Sequence, residues 1–185
     1  MNLPNKITIS RICLIPIMIV FFYLKSMPYN YLITAGIFSV CAFTDFLDGY
    51  IARKKNMVTN TGKFLDPIAD KVLVAVALFM LLEMTIIPSP YGAIGVSLII
   101  GRELIIGGFR QIAASNNIII AADKSGKIKT VLQDIAVIFM FLICYFANDV
   151  LTYVTYALFG IAVLLTLYSG VMYIIKNRQV FADGQ

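Results

Sequence analysis

The sequence has no histidine and no tryptophan, and only three cysteines and six prolines in 185 residues. Without histidine it lacks the commonest metal ligand and the commonest general base near neutral pH, so acid–base or metal chemistry falls to carboxylates, Lys, Tyr or Cys. Cys13, Cys41 and Cys144 are odd in number, sit in apolar runs and show no ligand spacing, which reads as small buried hydrophobes and says nothing of redox compartment. Charge is also scarce: 14% of residues are charged and 60% are hydrophobic, with a mean hydropathy of +0.88. That balance excludes an ordinary soluble domain and makes the bilayer the solvent.

What is present is a series of six apolar segments, about 9–24, 31–51, 64–87, 91–112, 128–147 and 150–175. They predict an all-α fold: a single domain over 1–185, built as a bundle of six transmembrane helices. "LPNKITISRI" at the start reads as a short interfacial helix or bend before the first span, and the run behind it shows no small-residue cleavage pattern, so it is expected to stay in the mature chain. With both termini inside, Lys6, Arg11, Arg53, Lys54, Lys55, Lys63, Arg110, Lys124, Lys127, Lys129, Lys176 and Arg178 fall at cytoplasmic ends, leaving Lys25 opposite. The positive-inside rule selects that orientation, and the chain is expected to be an integral protein of the cell (inner) membrane with both termini and the site cytoplasmic. The net charge of +5 is thus spent on flanking membrane spans, and no basic face for nucleic acid is expected.

Against this background, "TDFLDGYIARKKNMVTNTGKFLDPIADKV" collects Asp45, Asp48, Asp66 and Asp70. Spacings of three and four put each pair on one helical face, and two antiparallel helices joined by about ten residues would aim both faces into one cytoplasmic pocket. An Asp in mid-span costs about 2.5–3.5 kcal/mol on insertion scales, so cations must offset the cluster. A salt network with Arg53, Lys63 and Lys71 would serve for any single acid; all four together favour bound metal. Oxygen ligands without Cys or His suit Mg²⁺ or Mn²⁺, and four carboxylates allow a pair of ions. Gly49, Ala52 and Gly62 leave room for backbone or nucleotide to approach, Arg53 can reach a phosphate as a bidentate partner, and Thr59, Asn60 and Thr61 offer polar groups or a solvated loop.

Written as a pattern, Asp45 to Asp70 is DxxDGxxAR, eight residues, then GxxxDxxxD. This resembles the signature of the CDP-alcohol phosphatidyltransferase family at every defined position. The resemblance implies six transmembrane helices, commonly in a homodimer, and transfer of a phosphatidyl group from a CDP-linked lipid such as CDP-diacylglycerol to an alcohol, with release of CMP. It implies Asp45, Asp48 and Asp66 as metal ligands, and Asp70 as a ligand and the base for the incoming hydroxyl. It also implies Gly49 and Arg53, with Thr59 and the segment from Thr8 to Arg11, as contacts of the CDP moiety. "NLPNKITISR", "GREL", "GFR" and "KSGKIKT" resemble the members that use glycerol 3-phosphate, whose phosphate would meet Arg110 and Lys127. Acceptors such as myo-inositol phosphate or serine stay open, as does the different reading of a divalent-cation transporter. Arg102 and Glu103 are expected to face a polar cavity or another helix, not each other, and Gly107 and Gly108 to end the fourth helix early.

Overall fold

The computed structural model describes residues 3–54, 60–115 and 124–178, with side chains over 8–44, 68–114 and 126–178. Six helices follow in order: α1 (Leu3–Tyr23), α2 (Asn30–Lys54), α3 (Asn60–Glu83), α4 (Tyr91–Ser115), α5 (Lys124–Tyr145) and α6 (Asp149–Lys176). Among the described residues no strand interrupts them.

Local chemistry sets several boundaries. Pro4 occupies the first turn of α1, where its missing N–H goes unused, and α1 then runs unbroken to Tyr23 with Pro16 inside it. The separate interfacial segment expected at the start is therefore the first turns of one continuous helix. Asn30 opens α2 and is buried, its Nδ2 donating to the Phe22 carbonyl at 2.9 Å, which ties the α1–α2 turn down. Asn148 caps α6, its Oδ1 accepting from the Leu151 N–H at 3.1 Å, with Asp149 favourably placed in the first turn. α3 begins at Asn60, before the expected start near Phe64, so Gly62 is helical. α4 passes through Gly107 and Gly108 to Ser115, correcting the early ending. Helical hydrogen bonds satisfy the backbone along the run, and in an apolar medium that outweighs two weak helix formers.

Helix α1 packs on α2 and α3, α2 also on α5, and α6 on α4 and α5. The interior is a cluster that includes Met18, Phe22, Phe38, Leu78, Ile99 and Phe141, with the Phe22 and Phe141 rings 6.0 Å apart, edge to face. The buried stripe of α6, Thr155, Phe159, Ala162, Thr166, Ser169 and Tyr173, is rich in small residues. Lipid gives no hydrophobic drive between helices, so close packing through such residues must hold them. Thr155 and Thr166 return their hydroxyls to carbonyls one turn back, at 2.8 and 2.7 Å, so neither exposes an unpaired group to its neighbours.

Some polar groups are buried within the apolar interior, while many large apolar side chains face outward. Arg11, Lys129 and Gln133 are buried, whereas Val40, Phe79, Leu104 and Leu164 are 56–68% exposed. Such an apolar exterior around polar interior groups is the arrangement lipid favours. α4, α5 and α6 are each long and apolar enough to cross a membrane. One end of the bundle is marked by Tyr23 donating to Glu83, and by Tyr29 beside Tyr145.

Candidate active site

The acid-bearing stretches sit on two packed helices. Asp45, Asp48, Gly49, Ala52 and Arg53 lie in the last ten residues of α2, and Gly62, Asp66 and Asp70 in the first eleven of α3. α2 and α3 pack together, and only 55–59 separate them in the chain, so their acidic ends adjoin. Thr59 lies outside the described residues, as do the side chains of the other positions from Asp45 to Asp66. Thr8 and Arg11, three apart on α1, are each 2% exposed and face the bundle interior. An arginine so buried needs anionic or polar company, in keeping with a role beside a charged site.

Asp70 is half-buried and helps line a cavity of about 160 Å³ between α3, α4 and α5. Its polar wall adds Lys71, Glu103, Lys129, Thr130 and Gln133, and its deep wall is apolar, with Leu78 and Ile99. The charges there are interlocked. Lys129, 2% exposed, donates to the Glu103 carboxylate, and Arg102 Nη1 reaches the same oxygen at 3.0 Å. The adjacent Arg102 and Glu103 thus do pair, against expectation. Adjacent Cα–Cβ vectors diverge, but the long guanidinium stem curls back, and Arg102 Nη2 donates to Ser169 on α6 at 3.0 Å. Lys71 Nζ donates to the Glu103 carbonyl at 3.1 Å. Glycines make these reaches possible: a Cβ on Gly107 would come within 2.6 Å of Lys71 Nζ, and one on Gly170 within 3.0 Å of Arg102 Cγ.

Arg110 and Lys127 are exposed and lie outside the lining of that cavity. Arg110 Nε donates to the Tyr173 hydroxyl at 3.0 Å, and its guanidinium lies 5.2 Å from the ring centre. Tyr173 packs with Ile106, Phe109 and Ala113 in a second apolar cluster, which steadies the arginine from below. The Tyr173 partnership, the Glu103–Lys129 link and Gln133 escaped sequence reasoning. The i, i+4 spacing of Lys129 and Gln133 was the one available signal, since it places both on one face of α5.

The donor set of the four aspartates is oxygen only, carried by two helices whose acidic ends adjoin. That chemistry fits hard divalent cations.

The family model for CDP-alcohol phosphatidyltransferases matches residues 1–168. A Bacillus subtilis (strain 168) protein named CDP-diacylglycerol–glycerol-3-phosphate 3-phosphatidyltransferase is 44% identical over 147 residues, 74% of each chain. Proteins of the same name from Rickettsia bellii (strain RML369-C) and Salmonella choleraesuis (strain SC-B67) are 39% and 36% identical over 181 and 186 residues, covering 97% and 98% of each chain. With its long apolar helices and a match over most of its length, the chain is an integral membrane enzyme that belongs to the CDP-alcohol phosphatidyltransferase family.

Proposed function

We propose that the chain transfers the phosphatidyl group of CDP-diacylglycerol to glycerol 3-phosphate, giving phosphatidylglycerophosphate and CMP in phospholipid synthesis. The observation that carries this reading is the pair of packed helices bearing DxxDGxxAR and GxxxDxxxD. The choice of acceptor is supported by relatives of that name along nearly the whole chain.

The acceptor hydroxyl oxygen attacks the phosphorus of the phosphatidyl group, the bond from that phosphorus to the CMP oxygen breaks, and CMP leaves with the electron pair. Asp70 takes the hydroxyl proton; with no histidine in the chain, a carboxylate is the natural base. Asp45, Asp48, Asp66 and Asp70 would hold Mg²⁺ or Mn²⁺, two ions in all, whose positive charge would stabilise the diphosphate and the departing CMP. Gly49, Ala52 and Gly62 leave space for the CDP moiety, with Arg53, Thr59, Thr8 and Arg11 as its polar contacts. Arg110 and Lys127 attract the acceptor phosphate at the bundle surface. All six helices span the membrane in one domain over 1–185, with both termini and the site cytoplasmic, and two chains form a homodimer. The distribution of Lys and Arg supports that orientation.

The test presents purified protein with CDP-diacylglycerol and glycerol 3-phosphate, myo-inositol phosphate or serine, with Mg²⁺, Mn²⁺ or chelator, and follows CMP. Metal-dependent CMP release with glycerol 3-phosphate is expected. Release with none of the acceptors ends the proposal, and release with another acceptor alone reassigns the substrate.

A further inference from the structure

Lys71 directly follows Asp70, the proposed base, and both line the cavity between α3, α4 and α5. The half-buried Lys71 side chain crosses to the next helix, where its Nζ donates to the Glu103 carbonyl of α4 at 3.1 Å. A carbonyl inside an α-helix gives one lone pair to the N–H four residues on, here that of Gly107, and keeps a second. Helical side chains lean back over the preceding turn, so a side chain at 107 would ordinarily cover that second lone pair. Position 107 is a glycine, and among the described residues the atom in the space of its missing Cβ is Lys71 Nζ, 2.6 Å away. Glycine is a weak helix former, so its place well inside α4 needs a reason, and the ammonium supplies one. The contact also has a mechanical consequence. Dispersion between apolar side chains tolerates small rotations of a helix, whereas a charged donor seated on one carbonyl is directional and resists them.

We propose that Lys71 is a positioning residue: by bonding the Glu103 carbonyl through the gap at Gly107, it fixes the rotation of the first turns of α3 against α4, and with it the aim of Asp70. This rests on the reading of Asp70 as the base for the acceptor hydroxyl. Adjacent residues on a helix stand about 100° apart, so any rotation about the axis carries both side chains together. A general base works only within hydrogen-bond reach of the proton it takes, and a misplacement of about 1 Å can cost about 10²-fold in rate. Lys71 thus acts through Asp70 and touches no reacting atom in this role.

The experiment measures kcat, both KM values and thermal unfolding in detergent for Gly107→Ala, Lys71→Met and the double variant, with CDP-diacylglycerol as donor and the acceptor that wild type uses. Helix propensity alone makes Gly107→Ala stabilising and harmless to turnover. If the ammonium holds α3 in place, the added methyl displaces only the end of a flexible side chain, so the fold survives while the tie is lost. Gly107→Ala should therefore melt at or near the wild-type temperature yet lose about 10- to 100-fold in kcat, with both KM values within about twofold. Lys71→Met keeps the stem without the donor and should show a similar loss in kcat. Both substitutions break one contact, so the double variant should be no slower than the slower single variant, whereas independent losses would multiply. Gly107→Ala with wild-type kcat overturns the inference, even if Lys71→Met fails to fold. So do losses that multiply in the double variant, and a defect carried by either KM. A wild type that releases CMP with no acceptor overturns the proposed function first, and the inference with it.

Discussion

Lys129 on α5 donates to the carboxylate of Glu103 on α4, and the same oxygen takes Arg102 at 3.0 Å. One anion thus serves two cations within the bundle, and the Lys71 ammonium rests on the Glu103 carbonyl as well. Glu103→Gln should leave Lys129 buried without its counter-charge, a change that costs about 3–5 kcal/mol when one partner of a buried pair is removed. Adding Lys129→Met should recover most of the loss. Thermal unfolding in detergent measures both; a Glu103→Gln protein that melts with wild type removes the argument.

Asp70, a proposed metal ligand, also lines the cavity of Gln133. Asp70→Asn should lower turnover by about 10²- to 10⁴-fold, the usual scale for a general base, while the remaining acids keep CDP-diacylglycerol binding measurable in the presence of Mg²⁺. Single-turnover CMP release and equilibrium binding of the lipid separate the two effects. Normal turnover in the variant would mean that another group takes the proton.

Arg110 is held by Tyr173 through both a hydrogen bond and the ring face. Arg110→Ala or Lys127→Ala should raise the KM for glycerol 3-phosphate by about tenfold or more, and that for CDP-diacylglycerol far less. Tyr173→Phe deletes only the hydroxyl and keeps the ring, so its effect on the acceptor KM should be a few-fold. Equal changes in both KM values would show that these side chains do not distinguish the substrates.

Gly95 faces Phe159 across the α4–α6 contact, where an added Cβ would lie 2.5 Å from the ring. Phe159 is buried, so it has little room to retreat. Gly95→Ala should cost about 1–3 kcal/mol by overpacking. Gly160→Ala, with open space around its Cβ, should be well tolerated. A pair of melting curves decides it, and equal stability for the two variants contradicts the close contact of Gly95 with Phe159.

Much of the fold was legible because a bilayer imposes simple rules. Six apolar segments map onto six helices, their ends shifting by a few residues where Asn60 and Leu3 begin helices earlier than hydropathy suggests. Gly107 and Gly108 misled, because a stop signal learned in water loses force where only a helix satisfies the backbone. Arg102 and Glu103 misled differently: the rule that neighbours on a helix diverge concerns Cβ directions, and a long guanidinium escapes it by returning toward the carboxylate.

The sequence by itself determined the helix count, the clustering of Lys and Arg at the flanks of the apolar segments and the acid spacing on α2 and α3. These are local or periodic properties, readable one segment at a time. Only the tertiary structure decided that Lys129 belongs to Glu103, that Lys71 lies across Gly107, and that Asp70 and Gln133 share one cavity. Those facts depend on how α3, α4 and α5 are rotated about their own axes. Packing of small and large residues between helices sets that rotation, and hydropathy along a single segment carries no record of it.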